Sequence, residues 1–305
     1  MKIVYMGTPD FAVPALKKLA GSKEHSVIAV FTQPDKPRGR KMILTPPDVK
    51  VCAQQLGIPV YQPASMRTEE AYGSLKELNP DVIVVAAYGQ ILPKAVLDLP
   101  KYGCVNIHGS LLPKYRGAAP IQQSVLDGEK ITGVTTMLMD VGLDTGDILQ
   151  TAQTEIGENE TSGELFDRLA LLGGELIIKT LAALENGTVT PQKQDDSLAT
   201  HTSKIDKALC PVDFNKSSNE VHNKVRGLNP WPVASAIIAG KRVKVYSTRL
   251  CDRSGEPGTI LSLKPLIIAC GSGSVELREL QPEGKKRMTA EAFVAGHKLN
   301  IGDRL

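Results

Sequence analysis

No stretch of the chain approaches the roughly 18 uninterrupted apolar residues that a membrane helix requires, although 42% of its 305 residues are hydrophobic. A spanning helix is thereby excluded, and the accompanying 23% of charged residues is the balance of a globular protein that folds in water. Residues Met1 to Gly7 lack the long apolar core and small-residue cleavage site of a secretory leader, so a cytoplasmic protein is expected. Cysteine is sparse and odd in number: Cys52, Cys104, Cys210, Cys251 and Cys270 are scattered and never form a Cys-x-x-Cys pair. That argues against a disulfide framework and a zinc site, and the thiols are expected to be reduced. Only the single Gly7 follows the first candidate strand, where a dinucleotide fingerprint needs a G-x-G-x-x-G series, so no nicotinamide cofactor is expected. Internal repeats and low-complexity tracts are also missing.

What the chain has is length for two domains, since 305 residues is about twice a typical single domain. Its net charge of +3 hides an asymmetry: from Ala208 onward there are 15 Lys and Arg against 9 Asp and Glu, or +6, which leaves 21 against 24, or −3, for the rest. A basic appendage on a slightly acidic body fits a polyanionic partner and equally fits a solubilising surface. The first two thirds alternate β-branched runs (Lys2 to Met6, Val27 to Thr32, Val82 to Ala86, Val105 to His108) with helical patterns, the signature of βαβ units and a parallel, Rossmann-like α/β sheet. A helix from Ser162 to about Glu185 closes this part. The polar segment Thr190 to Lys207 has the composition of a linker. Beyond a helix over Ser218 to Arg226, short strands flank tight glycine turns: Ser235 to Ile238 and Val243 to Tyr246 around Ala239-Gly240, and Leu266 to Ala269 and Val275 to Leu280 around Gly271-Ser272-Gly273. That pattern predicts a small antiparallel barrel. The resulting division is 1–189, 190–207 and 208–305.

The segment Gly103 to Pro120 carries the most chemistry. Residues two apart on a strand share a face, so Asn106 and His108 project together at the carboxyl end of a parallel strand, where open α/β sheets keep their active sites. A carboxamide can hold a developing oxyanion while an imidazole handles a proton or supplies positive charge, a pairing suited to acyl transfer. Taken alone, the same Asn-x-His also reads as a turn former and a hydrogen-bonded strand-end histidine. Further along, Asp140-Val141-Gly142-Leu143-Asp144-Thr145-Gly146-Asp147 follows a strand-like run, Val134 to Met139, with three carboxylates in a glycine-punctuated loop. One of these near the imidazole would favour its charged form. Turn capping and cation binding use the same residues, and spacing alone does not choose among these roles.

The phrases GTPDFAVPAL, VFTQPDKPRGR, AAYGQILP, NIHGSLLPKYRGAAPI, MDVGLDTGDIL and NPWP resemble, in order and along the whole chain, those of the methionyl-tRNA formyltransferases. The shorter pattern, N-x-H with S-L-L-P and a later D-x-G-x-D-x-G, is similar to that of folate-dependent formyltransferases in general. The resemblance implies that Asn106, His108 and Asp144 are catalytic. It further implies that Ser110, Leu111, Leu112 and Pro113 line a folate site, with Ile91 and Leu92 against the pterin, and that the formyl donor is 10-formyltetrahydrofolate with no metal required. The cationic run Gln33 to Lys41, too rich in Pro and Gly to be read as regular structure, becomes by this resemblance a loop that enters the acceptor end of tRNA through Arg38, Arg40 and Lys41. Relatives often carry further lysines where this chain continues Met42-Ile43. The companion domain is expected to be an oligonucleotide-binding-like barrel whose Lys241, Arg242, Lys244, Lys285, Lys286 and Arg287 meet tRNA phosphates. A cytoplasmic monomer formylating initiator methionyl-tRNA is the expectation. The alternatives are a folate-dependent formyltransferase acting on a small amine and a tRNA-binding protein with a degenerate catalytic half.

Overall fold

The computed structural model describes residues 1–39 and 42–305; Arg40, Lys41 and the side chain of Arg38 lie outside the described residues. Two compact units are formed. The first comprises Met1–Gly117, Thr132–Thr154 and Phe166–His201, and the second comprises Ala118–Ile131, Glu155–Leu165 and Thr202–Leu305.

In the first unit, β1 (Lys2–Gly7), α1 (Val13–Ala20), β2 (Ser26–Phe31), β3 (Lys36–Arg38), β4 (Ile43–Thr45), α2 (Asp48–Gln55), β5 (Val60–Tyr61), α3 (Glu69–Leu78), β6 (Val82–Ala86), α4 (Lys94–Leu97) and β7 (Cys104–His108) follow one another. They are succeeded by β8 (Arg116–Gly117), β9 (Ile131–Leu138), β10 (Ile148–Glu155), α6 (Ser162–Glu185) and, at the end of the unit, β11 (His201–Thr202), whereas α5 (Pro120–Leu126), between β8 and β9 in the chain, belongs to the second unit. Seven strands make one sheet in the order β10-β9-β7-β6-β1-β2-β5. Pairs β1–β2, β1–β6, β2–β5 and β6–β7 are parallel. Strand β6, Val-Ile-Val-Val-Ala, is buried throughout, the continuous apolar run expected of a strand covered on both faces.

Strand β9 instead runs antiparallel to β7, a direction that the alternation of residues does not encode. The expectation of an irregular loop after β2 is also corrected, because β3 and β4 pair antiparallel with Lys36 opposite Thr45 and Arg38 opposite Ile43. Pro37 is tolerated there because an isolated two-stranded ribbon leaves one edge of each strand free of ladder bonds.

On β7, Cys104, Asn106 and His108 lie on one face and Val105 and Ile107 on the other. Cys104 joins the core formed by Val4, Met6, Ile83, Val85, Tyr88 and Leu92, so Asn106 and His108 continue that face past the core to the carboxyl edge. Helix α6 covers the opposite face closely. A Cβ on its Gly173 would stand 2.8 Å from Ile107 Cγ2, too near for any residue but glycine without a shift.

The second unit contains α7 (Ser218–Gly227), β12 (Ser235–Ile238), β13 (Lys241–Cys251), β14 (Ile260–Leu263), β15 (Leu266–Ala269), β16 (Ser274–Pro282), β17 (Met288–Thr289) and α8 (Ala290–Ala295). Its strands form a curled antiparallel sheet ordered β12-β13-β16-β15-β14, with β17 on β16, a half-barrel of the oligonucleotide-binding-like kind. A full capping box starts α7: Ser217 Oγ accepts from Glu220 N at 3.2 Å and Glu220 Oε2 accepts from Ser217 N at 2.9 Å. Strands β14 and β17 escape sequence reading because the partly exposed Leu-Ser-Leu run and a two-residue strand show almost no period. Phe293 on α8 is 1% exposed among Val243, Val245, Ile268, Leu277 and Leu280. Phe293→Ala is expected to destabilise this unit by about 3–5 kcal/mol through lost transfer energy and an unfilled cavity; an unchanged melting temperature would contradict that packing.

Candidate active site

Asn106 and His108 are 9% and 6% exposed, at the end of β7 where Asn106 lies beside Val85 of β6 and His108 opposite Thr135 of β9. The Asn106 carboxamide makes no hydrogen bond to any described residue. A nearly buried amide left with open donors is poised to meet a ligand oxygen. His108 is held more firmly. Its Nε2 lies 2.9 Å from the carbonyl oxygen of Tyr115, which can only accept, so Nε2 carries a proton. The other nitrogen, Nδ1, stands 3.7 Å from Asp144 Oδ2.

The three carboxylates of the 140–147 loop take different roles. Asp140 Oδ1 accepts from Gly142 N at 3.0 Å and Thr145 Oγ1 at 2.6 Å, closing an Asx turn. Asp147 contributes its backbone oxygen to Leu138 N at 2.9 Å, continuing the β9 pairing. Only Asp144 is shown here against the imidazole. Its Oδ2 also accepts from Gly117 N at 2.8 Å, and its backbone lies in the left-handed region at φ 54°, which disfavours residues with a Cβ. Gln194 Nε2 donates to the Asp144 carbonyl at 2.8 Å and to the Gly146 carbonyl at 2.7 Å.

Among the residues expected to line a folate site, Ser110 is buried and donates through Oγ to Lys114 O at 2.7 Å. Thr135 Oγ1 donates to Ser110 O at 2.7 Å and accepts from Leu112 N at 3.1 Å, pinning the turn after β7. Leu111 and Pro113 are partly exposed and Leu112 is buried. The structure separates the two pterin candidates: Ile91 is 69% exposed, while Leu92 is 5% exposed within the core, since neighbouring residues of an extended segment face opposite ways. Thr135, Gln194, Thr200 and Gly117 were not singled out from sequence; a lone Thr or Gln in a polar stretch carries no motif, and their part is visible only through tertiary contacts. Among the described residues no group of three His, Cys, Asp or Glu could hold a metal ion, and no helix is long and apolar enough to cross a membrane.

Arg40, Lys41 and the Arg38 side chain lie outside the described residues, but the root of their hairpin is defined. Lys50 Nζ contacts both Asp35 oxygens at 2.8 Å, and Gln62 Nε2 donates to Asp35 Oδ1 and Gln33 O at 2.8 Å each. The Lys50 hydrogen bond first, and then that of Gln62, hold the Asp35 carboxyl below the ordinary carboxylate range. Met42 and, on β4, Ile43 and Leu44 are exposed. In the second unit, the register that sets Val243 against Pro282 and Lys244 against Gln281 brings Lys241, Arg242 and Lys244 to the same end of the sheet as the turn bearing Lys285, Lys286 and Arg287. All six are exposed. Arg287 is partly neutralised by Glu279 and sits 4.3 Å over the Tyr246 ring.

A Rossmann-like sheet with Asn, His and Asp converging at its carboxyl edge, followed by a curled β domain, is the architecture of a formyltransferase. Residues 1–181 match the family model described as formyl transferase, and residues 204–298 match that of the formyl transferase C-terminal domain. Methionyl-tRNA formyltransferase of Geotalea daltonii is 49% identical over 307 aligned positions, covering 100% of this chain and 98% of that one. Its counterpart from Citrifermentans bemidjiense is 50% identical, covering 100% and 96%. The chain belongs to the methionyl-tRNA formyltransferase family. Among solved structures, WlaRD, a sugar 3N-formyl transferase with dTDP and 5-N-formyl-THF, aligns with a TM-score of 0.69 at 21% identity, covering 94% of this chain and 99% of that one. HypX of Aquifex aeolicus in complex with tetrahydrofolic acid aligns with a TM-score of 0.64 at 18% identity, covering 100% and 51%. At such identities the likeness concerns the fold.

A Cβ on Gly146 would collide with the carbonyl oxygen of Leu138. Gly146→Ala is expected to cost about 1–3 kcal/mol, as overpacking does, read as a fall in melting temperature; unchanged stability would show that the 140–147 loop is looser than described.

Proposed function

We propose that the protein transfers the formyl group of 10-formyltetrahydrofolate to the α-amino group of initiator methionyl-tRNA, giving N-formylmethionyl-tRNA for translation initiation. The observation that carries this reading is the convergence of Asn106, His108 and Asp144 in a chain that matches methionyl-tRNA formyltransferases end to end at about half identity. In the proposed mechanism the uncharged methionyl amine attacks the formyl carbon and negative charge gathers on the former carbonyl oxygen. The open donors of Asn106 and a protonated His108 stabilise that charge. Asp144 supports the imidazolium and helps to place a water that carries a proton from the attacking amine to the folate nitrogen, as the bond between that nitrogen and the formyl carbon breaks. Ser110, Leu111, Leu112, Pro113 and Ile91 would form the folate wall, with Leu92 supporting it from the core.

We assign residues 1–189 to formyl transfer, 190–207 to the connection and 208–305 to tRNA binding, in a cytoplasmic monomer, the compartment where aminoacylated tRNA is made. Arg38, Arg40 and Lys41 would meet the acceptor end, and the six cations at one end of the second unit's sheet would meet phosphates. Those contacts govern affinity and its salt dependence rather than the chemical step. The rival reading, a small-amine formyltransferase, shares the trio and has no use for the cationic hairpin or the basic second domain.

The decisive incubation supplies 10-formyltetrahydrofolate with either methionine-charged initiator tRNA or small amines, sugars included. Formylated methionyl-tRNA is the expected product; selective formylation of a small amine would overturn the assignment. In the same assay Asn106→Ala is expected to lower kcat roughly 10²- to 10³-fold with folate binding nearly intact, and wild-type turnover would reduce Asn106 to a turn residue. Neutralising Lys285, Lys286 and Arg287 together is expected to raise the KM for tRNA and flatten its salt slope, with kcat preserved; wild-type affinity and slope would remove this cluster from the interface.

A further inference from the structure

The polar segment after α6 does not pass the candidate active site idly. Gln192 and Ile148 exchange backbone hydrogen bonds, 2.8 Å in each direction, seating the segment beside the start of β10. Gln194 then turns inward. Its Nε2 donates to the carbonyls of Asp144 and Gly146 at 2.8 and 2.7 Å, and its Oε1 accepts from Arg116 Nε at 3.0 Å. Arg116 is 3% exposed, and its outer guanidinium nitrogen is fixed by Asp196 Oδ1 at 2.7 Å. Because an arginine Nε–H can only donate, it settles which end of the Gln194 amide is oxygen and aims the two amide hydrogens at the loop. Farther on, Thr200 Oγ1 accepts from Tyr115 N at 2.8 Å, and the Tyr115 carbonyl accepts from His108.

The loop needs this support. Asp144 occupies the left-handed region that a residue with a Cβ avoids, and Gly142 and Gly146 on either side give the segment little stiffness of its own. Clamping the carbonyls of residues 144 and 146 from one side chain holds that backbone, and the Asp144 carboxylate is left directed at Gly117 N and His108 Nδ1.

Building on the proposed role of Asp144, we infer that Gln194 is a positioning residue for formyl transfer: its two amide hydrogens hold the 144–146 backbone so that the Asp144 carboxylate stays against His108. The two donors are essential to this role. Gln194→Glu keeps the size and the Arg116 contact but offers only acceptors to the two carbonyls, and Gln194→Ala removes the donors without adding charge.

The test is a kinetic cycle: each Gln194 variant alone, Asp144→Asn alone, and the combinations, with folate and methionyl-tRNA varied separately. Both Gln194 variants are expected to lower kcat roughly 10- to 100-fold, the scale of an ångström-sized misplacement. Their KM values should stay within about twofold, and in the Asp144→Asn background the further loss in kcat should be below about threefold, because the group being placed is already impaired. Near-wild-type kcat in both Gln194 variants would overturn the inference. So would losses that multiply with Asp144→Asn, or a raised KM for tRNA with kcat intact. If Asp144→Asn is itself fully active, the proposed trio fails and this role with it; if Asp144→Asn is crippled while the Gln194 variants are not, only the role of Gln194 fails.

Discussion

The approach of the Asp144 carboxylate to within 3.7 Å of His108 Nδ1 is the constraint around which the first unit is organised. One partner comes from the sheet, at the end of β7. The other comes from a loop between β9 and β10 in which Asp144 lies in the left-handed region. Strand β9 lies antiparallel beside β7 with Leu138 opposite Val105 and Thr135 opposite His108, so the loop leaves β9 at the edge where β7 begins, and Asp144 reaches His108 only because the loop folds back along that face.

The imidazole is the meeting point of these supports. The Tyr115 carbonyl assigns a proton to Nε2 and the Asp144 carboxylate faces Nδ1, beside an amide whose donors are open. In a nearly buried setting such fixed dipoles and charges count for more than in water. The proposed division, with charge held by His108 and Asp144 and direction supplied by Asn106, needs no covalent nucleophile. It suits a reaction in which the acceptor amine is itself the attacking group.

Much of this was legible in the sequence where residue type and spacing both carry information. The β-branched runs marked β1, β2, β6 and β7, the period of two placed Asn106 and His108 on one face, and the long amphipathic pattern marked α6 at Ser162–Glu185. The direction of β9, the hairpin of β3 and β4, and the distinct facing of Ile91 and Leu92 depend on partners distant in the chain. The segment from Thr190 is the clearest case. Glutamine, aspartate and threonine there have the composition of a solvated connection, and the structure uses the same groups to hydrogen-bond loop carbonyls and amides. Composition records that a side chain is polar; it does not record what it faces.

In the proposed mechanism Asn106 and His108 polarise the formyl oxygen of the bound donor. This polarisation can be tested on the bond itself, by isotope-edited infrared spectroscopy of formyl-¹³C-labelled 10-formyltetrahydrofolate bound to the protein without tRNA. The carbonyl stretch is expected at lower frequency than in water, moving back toward the aqueous value in Asn106→Ala at full occupancy. A stretch at the aqueous frequency in the wild-type protein, or one that Asn106→Ala leaves unmoved, would contradict it.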